Sequence, residues 1–142
     1  MSPPRRGSTT IEQLVTMTIL AITATIALVG GGPVLDAAAV EAATQEAATL
    51  FALARDHALA TGTPTAVRID GPAQQLVVHA ARDTIAIARF AESHVRIEAS
   101  RDSMAYGPSG LGTGAANLRL TLTRGHRADT ITVSRLGRVS HL

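Results

Sequence analysis

The chain is 142 residues long, 46% apolar and 17% charged, with no cysteine and 13 basic residues that are all arginine. This is too apolar for a disordered chain, and it excludes disulfide frameworks, thiolate metal sites, Schiff-base catalysis and the lysine of a Walker phosphate loop. A formal charge of +2 and 2% aromatic content argue against a strong polyanion-binding field and against base-stacking platforms for single-stranded nucleic acid.

In chain order, the first element is apolar. Between Ile11 and Gly32 the only charge is Glu12. A helix over residues 11–32 spans about 33 Å, against about 30 Å of bilayer hydrocarbon, which predicts a single membrane-spanning helix. Thr16, Thr18, Thr23 and Thr25 lower the hydropathy, but their hydroxyls can bond back to helix carbonyls. A buried core helix and the apolar region of an ordinary secretory signal are the competing readings. Arg5 and Arg6 precede the run, while Asp36, Glu41 and Glu46 follow it with no arginine before Arg55. The positive-inside bias leaves the N-terminus cytoplasmic and exports everything after Gly32 into the periplasm.

Glu12 is the unusual residue, because a carboxylate at the start of such a span is expensive and usually functional. The string Arg6-Gly7-Ser8-Thr9-Thr10-Ile11-Glu12-Gln13-Leu14-Val15 resembles the processing site of type IV pilins and type II secretion pseudopilins. The resemblance implies a prepilin leader over residues 1–7 and cleavage by a prepilin peptidase between Gly7 and Ser8. It also implies N-methylation of Ser8, which stands where the family most often has phenylalanine, and an assembly role for Glu12 as the fifth mature residue. Physically, the new α-amine, with an ordinary pKa near 8, would enter a bilayer or filament core charged. A carboxylate on a neighbouring subunit's helix would offset part of that desolvation cost.

Gly30-Gly31-Gly32-Pro33 predicts a flexible or kinked joint, with Gly32 and Pro33 suited to start a second helix. From Val34 to Thr61 the pattern is amphipathic, and Val40, Ala43, Ala47, Leu50, Phe51, Ala54 and Ala58 share one face. Gly62 and Pro64 stop it. Beyond Pro64 the period becomes two, and strands are predicted over 65–70, 75–80, 84–90, 94–99, 117–123 and 129–135. The fold class is therefore α+β, a long N-terminal helix with a membrane-spanning and an amphipathic half, the latter packed on antiparallel sheet. Residues 8–32 form the anchor and assembly helix, and 33–142 the exported domain, with helix 34–61 and β-rich 65–142.

Three further stretches resemble the branch comprising H pseudopilins and FimT-type minor pilins. They are Leu53-Ala54-Arg55-Asp56-His57-Ala58 with Gly62-Thr63-Pro64, then Tyr106-Gly107-Pro108-Ser109-Gly110, then Ser134-Arg135-Leu136-Gly137-Arg138-Val139. The resemblance implies a minor pseudopilin of a type II secretion system, held in the inner membrane and partnered by other pseudopilins. The alternative is a minor type IV pilin serving pilus assembly or DNA uptake.

No enzymatic chemistry is legible. The five histidines are scattered without ligand spacing, so no metal site is expected, and nothing implies a cofactor. The glycine string from Gly107 to Gly114 precedes a strand rather than a helix, so it reads as a long mobile loop and not a phosphate cradle. Arg124, Arg127, Arg135 and Arg138 are candidate phosphate or DNA contacts if they converge on one face. DNA-uptake subunits of this type carry a second arginine two residues after the first. Here that position is Ser140, which counts against nucleic acid as a partner.

Overall fold

The structure, a computed structural model, describes residues 9–113 and 117–141, and residues 26–30 through their backbone alone. The expected leader, with Gly7, and Ser8 lie outside the described residues. The elements are α1 (Thr10–Thr61), β1 (Thr65–Asp70), β2 (Gln75–Ala80), β3 (Asp83–Arg89), β4 (Arg96–Ala99), β5 (Ser103–Tyr106), β6 (Gly112–Thr113), β7 (Leu118–Arg124), β8 (Arg127–Val133) and β9 (Val139–His141), with one 3-10 turn at Ala91–Ser93. The chain divides into two units, Met1–Val34 and Leu35–Leu142.

In the first unit, Glu12 lies in the first turn of α1, where the helix dipole favours an acid. The hydroxyls of Thr16, Thr18 and Thr25 each donate at 2.8 Å to the carbonyl four residues earlier, as expected. Ile11, Leu14, Val15, Met17, Ile19, Leu20 and Ile22 are all exposed. Among the described residues no helix is long and apolar enough to cross a membrane. Glu12, Gln13 and the threonines dilute the first half of the expected span, and residues 26–30 fall outside the described side chains. Over the expected joint at Gly30–Pro33 the helical assignment of α1 is continuous, with Pro33 inside it. Proline forfeits one helical hydrogen bond, yet its fixed φ is helical, so the bonded turns on either side can carry the backbone through.

In the second unit, the seven apolar residues expected to share a helix face are all buried, from Val40 to Ala58. They meet two antiparallel sheets, one ordered β3-β2-β1-β5-β6 and the other β4-β7-β8-β9. The inward residues of both sheets, among them Val67, Leu76 and Val78 and Leu120, Leu122 and Ile131, join the helix face in one core. Sheet register keeps the faces apart, as in Leu120 opposite Ile131 inside and Thr121 opposite Thr130 outside. Three short strands, β5, β6 and β9, were not legible in sequence, being only two to four residues long. Two boundaries also shift. His94 adopts a left-handed conformation (φ 55°) that closes the 3-10 turn, so β4 starts at Arg96. Strand β8 begins at Arg127 and stops at Val133, where the next turn begins.

The glycine string is not a mobile loop over its described part. Tyr106 pairs with Gly112 in a hairpin closed by Gly107 N–H donating to Leu111 O at 2.9 Å and Gly110 N–H to Gly107 O at 2.9 Å.

Candidate functional site

The three motifs carrying the family resemblance lie far apart in sequence and meet at the end of α1. Arg55, half-buried on the helix, donates from Nε to the carbonyl of Gly110 at 3.2 Å. The β8–β9 turn closes on the same place, with Gly112 N–H donating to the Arg135 carbonyl at 2.7 Å. Gly137 (φ +76°) sits so close to Arg55 that a Cβ there would lie 2.6 Å from Arg55 Cδ. Beneath them Tyr106 is fully buried. Among the described residues its hydroxyl has no hydrogen-bond partner. Burial pushes the phenol up to about 12, and the nearby Arg55 guanidinium opposes the rise. The sequence signal for this junction was the glycines, which the left-handed turn and the close approach of Arg55 require.

This predicts the outcome of Gly137→Val. A side chain at positive φ costs about 1–2 kcal/mol, and displacing Arg55 removes a bond worth about 1 kcal/mol. A loss of about 2–3 kcal/mol in the unfolding free energy of the full chain in detergent is expected, measured by denaturant titration. A smaller loss is expected for Gly137→Asn, which tolerates the left-handed region.

The four candidate arginines do not converge. Arg124 Nε pairs with Asp36 Oδ1 at 2.9 Å, and its Nη1 donates to Ser93 O at 2.8 Å. It ties α1 to the end of β7 and the 3-10 turn, so its charge is already engaged. Arg127 is exposed beyond the same hairpin, while Arg135 and Arg138 are exposed at the opposite end of β8. A seven-residue strand puts about 20 Å between those ends. Arg124→Met should lower stability by about 1 kcal/mol, a value discounted because both partners are about a quarter exposed. High salt should narrow the gap between variant and wild type in thermal melts.

Glu12 is exposed on the first turns of α1, and among the described residues it makes no ion pair. The histidines stay apart. His57 Nδ1 lies 3.1 Å from Thr65 Oγ1, His79 Nδ1 lies 3.4 Å from Thr84 Oγ1, and His141 lies 3.9 Å from Asp129. Among the described residues no group of three or more His, Asp or Glu is placed to hold a metal ion.

Residues 43–137 match the family model described as Type II transport protein GspH. The chain belongs to this family. Its fold is shared with solved members of the pilin-like class. One is the Pseudomonas aeruginosa type IV minor pilin FimU, 11% identical with a TM-score of 0.62, matched over 72% of this chain and 87% of that one. Another is the Vibrio cholerae minor pseudopilin EpsH from the Type 2 Secretion System, 15% identical with a TM-score of 0.58, matched over 72% and 95%. No curated protein matches the chain. As in those structures, this GspH-family chain sets a helix against antiparallel sheets, and the junction around Arg55 falls inside the matched region.

Proposed function

We propose that the chain is a minor pseudopilin of a type II secretion system, a non-catalytic subunit of a periplasmic pseudopilus. In this reading residues 1–7 are a leader removed by prepilin peptidase, Ser8 becomes the methylated N-terminus, and residues 8–32 anchor the subunit in the inner membrane. The observation that carries the reading is the row of exposed apolar side chains from Ile11 to Ile22, headed by Glu12, which makes no ion pair among the described residues. Such a surface costs too much in water to stand uncovered, and a bilayer or a bundle of like helices covers it. In this reading the α-amine of a neighbouring subunit supplies a cation for Glu12.

DNA uptake fits less well. Arg124 is consumed by Asp36, the remaining arginines are split between two ends of β8, and no aromatic side chain lies between them. The deciding measurement is the mass of the mature protein in membrane fractions. A species beginning at Ser8 is expected. An intact Met1 terminus, or cleavage near Gly32, would replace this reading with a plain signal-anchored or secreted domain. Duplex binding in a gel shift that weakens with Arg138→Ala would move the assignment to the uptake pilin.

A further inference from the structure

The end of the exported unit beyond Arg55 carries three leucines that the fold does not bury. Leu136 is 69% exposed, and Leu59 and Leu111 are 46% and 45% exposed. They come from three segments that meet. Gly110, next to Leu111, packs on the Leu59 side chain, and a Cβ on Gly137, next to Leu136, would lie 3.5 Å from the Gly110 carbonyl oxygen. Leu136 stands in the turn between β8 and β9, which is closed by Gly137 N–H donating to Ser134 O and Ser134 N–H to Arg138 O, both at 2.9 Å. Arg135 and Arg138 lie on the same turn. Both are exposed, and among the described residues neither makes an ion pair. Across the three segments, residues 55–61, 106–113 and 134–139, the charges are Arg55, Arg135 and Arg138 against Asp56.

A turn that holds a leucine between two arginines sets two demands at once. A groove on another protein that took Leu136 would draw both guanidiniums out of water with it, which is costly for any ion left imperfectly paired. A bilayer interface separates the demands. Leucine enters the boundary between headgroups and acyl chains, while the long arginine side chains reach back to hydrated phosphates. We infer that this end of the exported unit is a contact for an anionic lipid surface. Leu136 is the inserting residue, with Leu111 and Leu59 beside it, and Arg135 and Arg138 pair with lipid phosphates. Both cations are arginine, whose planar fork takes two phosphate oxygens at once. One such end makes a weak and reversible contact, and a row of subunits multiplies it. The contact goes beyond the anchoring and processing proposed above for residues 1–32, and it does not depend on which system uses the subunit.

The chain has no tryptophan, so Leu136→Trp places a single indole in the contact. The full chain carrying it is held in nanodiscs of neutral phosphatidylcholine and mixed with phosphatidylcholine vesicles that contain or lack phosphatidylglycerol. The indole emission is expected to shift to shorter wavelength, and the discs to float with the vesicles, only where phosphatidylglycerol is present. High salt should reverse both. Adding Arg135→Gln and Arg138→Gln should weaken vesicle affinity at least about tenfold, as for two arginines at an anionic surface. Arg127→Gln, at the other end of β8 and beyond a Debye length, should change it less than about twofold. Equal binding to neutral vesicles, an indole that stays in water with the anionic ones, or an equal loss with Arg127→Gln would each overturn the proposal. So would an emission shift that grows with disc concentration when no vesicle is present, since this end would then be covered by protein. Co-elution of the chain with the discs reads the anchor separately, and the indole reports this end alone, so either reading can fail without the other.

Discussion

Raising the pH from about 10 to about 12 should remove about 2 kcal/mol of stability, and Tyr106→Phe should abolish that loss. Tyr106 is the only tyrosine, and the chain has neither lysine nor cysteine. Between those pH values no other side chain changes charge, since arginine stays protonated. Burial raises the phenol from 10.0 to about 12 in the folded protein. Below pH 10 the phenol is protonated in both states, and folding is unaffected. Above it the unfolded chain sheds its proton while the folded one holds it, so unfolding gains. The stability is lost as pH climbs from the unfolded value through the folded one; two pKa units set a limit of about 3 kcal/mol, of which about 2 kcal/mol falls between pH 10 and pH 12. Denaturant titrations at fixed pH steps read the slope, and tyrosinate absorbance reads the ionisation itself. A wild-type slope identical to that of Tyr106→Phe would mean that the phenol reaches solvent. At neutral pH the same variant is expected to be as stable as wild type or more so by up to about 1 kcal/mol, since it removes a buried hydroxyl that has no partner among the described residues.

The residues around Tyr106 also show where sequence reasoning stops. The helix face from Val40 to Ala58 was legible because a periodic apolar stripe has one physical solution, burial against something else. The alternating strands β1, β2 and β7 were legible for the same reason at period two. What failed was local and short. Strands β5, β6 and β9 are too brief to show a period, and they exist because a neighbour offers a ladder. Glycines 30–32 and Pro33 suit the start of a second helix, yet the helical assignment runs through them, because the turns on either side supply the remaining bonds. The motifs at Arg55, Tyr106–Gly110 and Gly137 were each visible, yet their meeting depends on which strands pair, and sequence does not state that. The arginines illustrate the converse. Arg124 and Arg138 look equivalent in sequence, and only the packing of α1 beside the end of β7 shows that one is locked to Asp36 while the other faces solvent.

The prediction with the largest functional effect separates Gly7 from Glu12. If residues 1–7 are the proposed leader, Gly7→Phe should leave it attached, because a peptidase that closes on an extended backbone needs room beside the scissile bond, and glycine alone lacks a Cβ. Arg5 and Arg6 would then hold the N-terminus at the membrane surface and out of any helical bundle. Glu12→Ala should be processed normally, since the glycine is intact, and it should insert at least as well because a charge has gone from the span. Its failure comes later. The α-amine of Ser8 on a neighbouring subunit would be buried without a carboxylate, and an uncompensated buried charge costs several kcal/mol, enough to cut docking by a hundredfold or more by order of magnitude. Intact mass of the membrane-bound protein reads the first step, and cross-linking to other pilin-like subunits reads the second. Gly7→Phe is expected to fail both, and Glu12→Ala only the second. If Glu12→Ala cross-links as efficiently as wild type, the carboxylate has no cationic partner in the assembly. Its place at the head of the apolar run would then reflect no more than the preference of a helix N-terminus for an acid.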